Sequence, residues 1–78
     1  MINAAALRAK RTSAGIAGKI LCWKSGIARS RLSDIERGYV TATPEQLSRI
    51  AADLEDLIRA KAAIQKTAAE LGWPGVEI

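Results

Sequence analysis

Seventy-eight residues suffice for one domain with one small core, and a chain that is 49% hydrophobic but only 4% aromatic, with no Phe, must build that core from aliphatic side chains. One cysteine and no histidine exclude an internal disulfide, the usual Cys/His zinc sites and the imidazole base of most hydrolase triads. The net charge of +4 is unevenly divided: residues 1–38 carry eight Lys/Arg against two Asp/Glu and residues 39–78 carry four against six, which fits either a polyanion-binding face or a lopsided solvated surface.

Abundant alanine and the lack of alternating apolar runs or hairpin turns predict an all-α fold of four to five helices. The first helix is expected over Asn3–Ala14, with Asn3 as N-cap and Leu7 facing inward. Gly15, Gly26 and Gly38 each close a helical stretch, as residues at a left-handed C-cap do. The second helix is expected over Gly18–Ser25, with Ile20, Leu21 and Cys22 available to the core. The third spans Arg29–Arg37, with Leu32 and Ile35 inward beside Ile27 of the turn. A short helix, a glycine turn and a second helix studded with arginines form the arrangement that places side chains in a DNA major groove.

After a loop at Tyr39–Ala42, Thr43-Pro44-Glu45-Gln46 is a complete helix start: a Thr cap, Pro at the first helical position and Gln to close a capping box. No Gly or Pro interrupts Glu45–Leu71, where apolar residues recur at three- and four-residue steps and Ile50, Leu57, Ile64 and Leu71 keep the spacing of a coiled-coil seam. One helix over this stretch is ~40 Å long at 1.5 Å per residue. A domain this small cannot bury such a length, so a bend or break is expected near Asp53–Asp56. The fold therefore reads as a compact helix-turn-helix domain over residues 1–54, followed by a long C-terminal helix and tail over 55–78. Leu57, Ile58, Ile64, Leu71 and Trp73 are its candidate dimer interface, against the alternative of a helix folding back on its own domain. Lys61 lies awkwardly on that seam, and either snorkels to its edge or fixes register.

LRAKR, GIAGKILCWKSGIARSRLSDIERG and TPEQLSRIAADL, spanning Leu7–Leu54, together resemble the phage Cro/repressor-type (XRE) helix-turn-helix family. The resemblance rests on Ile16, Ala17, Leu21 and Cys22 around the second helix, the Gly26-Ile27 turn, and the closing Ile35-Glu36-Arg37-Gly38. Two positions depart from the family pattern. Gly18 stands where Gln usually holds the DNA backbone, and Ala17 replaces the Ser or Thr cap before it. Gly18 keeps only its amide for a phosphate, so Lys19 takes over part of that role.

On a third helix held in this way, Arg29 and Ser30 at its first turn are the base-reading candidates. Arg29 suits a bidentate contact to guanine, with a plain phosphate contact as the alternative. Arg31 and Arg37 are assigned to phosphates, with Thr41 as a weaker backbone contact beside Thr43. Asp34 either accepts a hydrogen bond from cytosine or pairs with Arg31 or Arg37 three residues away, and the pairing is preferred. The resemblance pairs Glu36 with Arg11 in a structural salt bridge behind the third helix. Arg8 and Lys10 read as solvated, Cys22 as a buried inert thiol and Trp23 as exposed.

The function implied is a sequence-specific double-stranded DNA-binding regulator, a homodimeric repressor on a palindromic operator. The competing reading is an antitoxin-like or inhibitor module whose C-terminal helix binds a partner protein. No enzyme activity, metal or cofactor is expected, because no base–nucleophile spacing occurs. No signal peptide or membrane-crossing stretch is evident, so a cytoplasmic location is expected.

Overall fold

The computed structural model describes residues 3–72, which form four α-helices: α1 (Ala4–Ser13), α2 (Gly18–Ser25), α3 (Arg29–Glu36) and α4 (Pro44–Leu71). Asn3 caps α1 through its side-chain oxygen, which accepts from the Ala6 amide at 2.8 Å. At the other end the chain turns through Gly15 at φ 69°, and the Ile16 amide donates back to the Arg11 carbonyl at 3.1 Å. This closure delivers Ile16 into the core, where it is 2% exposed. The turn between α2 and α3 repeats the device: Gly26 sits at φ 72° and the Ile27 amide reaches the Cys22 carbonyl at 3.2 Å. A Cβ at Gly26 meets nothing within 4 Å, so the backbone conformation rather than space demands glycine there.

Each helix contributes one fully buried leucine to a common cluster: Leu7, Leu21, Leu32 and Leu54. Burying a leucine stabilises a fold by about 1.5–3 kcal/mol, so these four with Ile16 dominate the packing. Helix α4 is the spine of the fold, contacting both α1 and α2, while α3 packs on α1 and α2.

Helix α4 runs for 28 residues without the break expected at Asp53–Asp56. Those acids do not mark a hinge. Asp53 and Asp56 reach across to Lys24 of α2 at 3.9 and 3.8 Å, while Leu54 and Leu57 on the adjoining face enter the core. With the capping box at its start and no Gly or Pro inside, nothing in the backbone opposes continuation. The length that the core cannot bury projects instead, giving extents of 44 × 23 × 19 Å.

Three further expectations are corrected here. Leu57 is 8% exposed within the chain's own core and is not a free interface residue, and Ile58 packs partly buried against the same cluster. The core thus continues past Leu54. Lys61 leaves the seam: its ammonium donates to the carbonyls of Ala14 and Gly15 at 2.8 and 3.2 Å, closing the C-terminus of α1. Lys10 pairs with Glu55 of α4 rather than standing alone in solvent. Ile64 and Leu71 are 43% and 61% exposed, and Trp73 lies outside the described residues.

Candidate nucleic-acid interface

Helix α3 is held from behind by three side chains. Leu32 and Ile35 are each 2% exposed, and Glu36 points inward to Arg11. The Arg11 guanidinium donates to both Glu36 carboxylate oxygens, Nε to Oε2 at 2.9 Å and Nη2 to Oε1 at 3.0 Å. Its remaining Nη1 donates to the Ile16 carbonyl at 2.9 Å. The hydrogen bonds to Glu36 raise the Arg11 pKa above its ordinary value, outweighing the opposite effect of burial. Such a bidentate pair has a fixed geometry. It locks the rotation of α3 against α1, and so decides which residues face out.

Facing out are Arg29, Ser30 and Arg31, all exposed, with Asp34 half-buried beside them and Arg37 exposed at the C-cap. Lys19 is exposed and Gly18 half-buried at the start of α2, and Thr41 is exposed in the loop after α3. The Thr43 hydroxyl is already committed to its cap, accepting from the Gln46 amide at 3.1 Å. Among the described residues, Lys19, Arg29, Arg31 and Arg37 have no carboxylate within 4.0 Å. The cations that are paired lie elsewhere: Lys10, Arg11, Lys24 and Arg59. Four unneutralised cations therefore flank or cap one pair of short helices.

The preferred pairing of Asp34 with Arg31 or Arg37 does not form among the described residues. Arg31 turns to the flank of α3 that adjoins α4, and Arg37 is the C-cap residue, already off the helical surface. The Asp34 backbone carbonyl instead closes the helix, accepting from the Tyr39 and Val40 amides at 2.9 and 3.3 Å.

The caps of the four helices differ. Asn3 and Thr43 cap α1 and α4 with side-chain oxygens, whereas Ala17 and Ala28 before α2 and α3 offer none. The two helices with uncapped amino ends are the two that carry Lys19, Arg29 and Arg31. Arg29 borders a shallow pocket with Gly18, Ser33 and the Arg11–Glu36 pair. A Cβ at Gly18 would approach nothing closer than 4.0 Å, so the space for a larger side chain exists and is empty of protein. Cys22 lies buried between the helices, and burial pushes its thiol pKa up, with nearby Arg29 opposing. It stays a neutral thiol. Trp23 is 80% exposed, and Tyr39 is 74% exposed directly after Arg37-Gly38. Only that position beside the closing signature marks Tyr39 in the sequence.

This geometry coincides with a match to a known protein family. The helix-turn-helix family model matches residues 7–55, well over half of the chain and the whole of α2, the glycine turn and α3. No curated protein and no solved structure matches the chain. The matched stretch also contains both members of the Arg11–Glu36 bridge and the start of α4. No helix among the described residues is long and apolar enough to cross a membrane. The chain belongs to the Cro/repressor-type (XRE) helix-turn-helix family of DNA-binding transcription regulators.

Proposed function

We propose that the protein is a sequence-specific, homodimeric repressor that inserts α3 into the major groove of a palindromic operator and so blocks a promoter. The observation that carries this reading is the face of four free cations braced by the Arg11–Glu36 bridge. Lys19, Arg31 and Arg37 hold backbone phosphates together with the open amides of Gly18, and Arg29 and Ser30 meet base edges. Arg29 binds guanine O6 and N7 and accounts for roughly 1–3 kcal/mol of discrimination. Asp34, without an ionic partner among the described residues, is available to accept from cytosine N4. Thr41 adds a backbone contact.

Dimerisation is supported by the projecting end of α4, which exposes Ile64 and Leu71 seven residues apart. One α3 reads only a few base pairs, and two copies reach half-sites ~34 Å apart. Selection of bound fragments from random DNA, with the mass of the complex measured alongside, tests the proposal. A palindromic site occupied by two chains supports it. Fragments of unrelated sequence, or a single chain per site, contradict it. An Ile64 and Leu71 face that stays unused in the free protein, and is filled only by a different protein, would favour the antitoxin-like reading.

A further inference from the structure

A second cation cluster lies on the opposite flank of α3 from Gly18, where the reading above places only Arg31. A cleft of about 190 Å³ opens there between the α2–α3 turn and the first turns of α4. Ile27, Ile35 and Ile50 form its apolar bed, and Arg31 of α3 and Arg49 of α4 border it together with Gln46. Both arginines are exposed, and neither has a carboxylate within 4.0 Å among the described residues. The Gln46 carbonyl oxygen is used by the Thr43 amide at 3.0 Å, so its NH₂ is what remains to offer. Two guanidiniums and an amide donor around one concavity, with no acid to neutralise them, match the chemistry of an oxyanion. The arrangement is not a helix end, since Arg49 lies beyond the first turn of α4 and the capping box satisfies that end itself.

We infer that the Arg31–Arg49 cleft is a phosphate-binding site, which takes a backbone phosphate of the DNA on the α4 side of α3. This rests on the DNA-binding reading, and it gives the phosphate contact of Arg31 a second guanidinium and a built cleft. Lys19 and the α2 amides hold one flank of α3, and Arg31 with Arg49 holds the other. Arg49 is then a positioning residue that fixes the tilt of α3 without touching a base. A free phosphorylated ligand has the same chemistry and is the other source of the group.

Binding of wild type, Arg49→Gln and Arg49→Lys to selected and to random duplexes, measured across a salt series, tests the inference. Inorganic phosphate is titrated into each free protein and followed by amide shifts at Gly26, Ile27 and Arg49. The expected result for Arg49→Gln is a similar fold loss of affinity on both duplexes and a log–log salt slope shallower by about 0.9, the value for one phosphate contact. Arg49→Lys restores most of both, and equal thermal melting of the three proteins removes misfolding as a cause. An unchanged slope with a phosphate response lost in Arg49→Gln keeps the cleft and assigns it to a free phosphorylated ligand. An unchanged slope with no phosphate response at these amides overturns the inference. The parent reading fails separately, if wild type itself does not bind duplex DNA.

Discussion

The Arg11–Glu36 pair carries more of this fold's specificity than any other polar contact, because it is largely enclosed and sets the rotation of the helix it braces. Removing one partner strands the other: Arg11→Ala or Glu36→Ala is expected to destabilise the protein by on the order of 3 kcal/mol in urea melts, while the apolar double replacement Arg11→Met/Glu36→Leu costs much less. A double variant as unstable as the singles would contradict that account. The raised Arg11 pKa has no consequence in the accessible range, since stability linked to a raised basic group is lost only as pH climbs through the folded value. Cys22 is different. Its folded pKa is raised by burial, so its contribution is intact below the ordinary thiol range and declines as pH rises through the folded value. Urea midpoints of wild type are expected to fall faster than those of Cys22→Ala as pH rises from 7 to 10, and native protein should react slowly with a thiol reagent. Parallel pH curves would remove the role given to burial.

Among the elements, α2 and α3 both start without a side-chain cap. Ala17→Ser is expected to stabilise the protein by about 1 kcal/mol if the new hydroxyl accepts from an amide of the first turn, read as a higher melting temperature. At Gly15 two causes act together, since a Cβ there falls 2.7 Å from the Lys61 ammonium and the backbone is at φ 69°. Gly15→Ala is therefore expected to cost at least about 1 kcal/mol, and Lys61→Met about as much through the lost cap alone. A neutral Lys61→Met would show that the cap is decorative. These elements also mark how far the sequence could be read. Helix positions, the glycine turns, the capping box and the Arg11–Glu36 partnership were legible because each depends on residues at short fixed offsets or on a family signature. The continuity of α4 was not. The length a small core can bury argues for a break, whereas the backbone has no reason to stop. Leu57 lies in the core although its spacing also suits an interface, since heptad spacing cannot tell a core face from a free seam. The Lys61 cap and the Lys10–Glu55 pair join residues distant in sequence, and only the packing of α1 on α4 brings them together. At the candidate interface, Arg29, Ser30, Arg31, Arg37 and Lys19 could be named as exposed cations and their neighbour, but the two flanks on which Arg29 and Arg31 lie required coordinates.

On the scale of the whole molecule, the basic first half presents α2 and α3, while the mildly acidic second half supplies a rod that outruns its own core. Charge and shape thus divide the chain into a basic end and a projecting end. If the projecting end joins two copies, Ile64→Glu with Leu71→Glu gives a monomer by mass with an unchanged fold by circular dichroism, and operator affinity drops by orders of magnitude while single half-site binding persists. A double variant that remains dimeric would move the interface elsewhere. The central claim is that the outer face of α3 reads bases, and Arg29→Ala tests it most directly. Wild type and variant are each allowed to select from one random DNA library, with Lys19→Ala and Arg37→Ala as controls. The account predicts that Arg29→Ala loses preference at one position of each half-site, by roughly 1–3 kcal/mol, while the two controls bind every sequence more weakly and keep the ranking. A ranking that Arg29→Ala leaves intact, or one that Lys19→Ala scrambles, would contradict it.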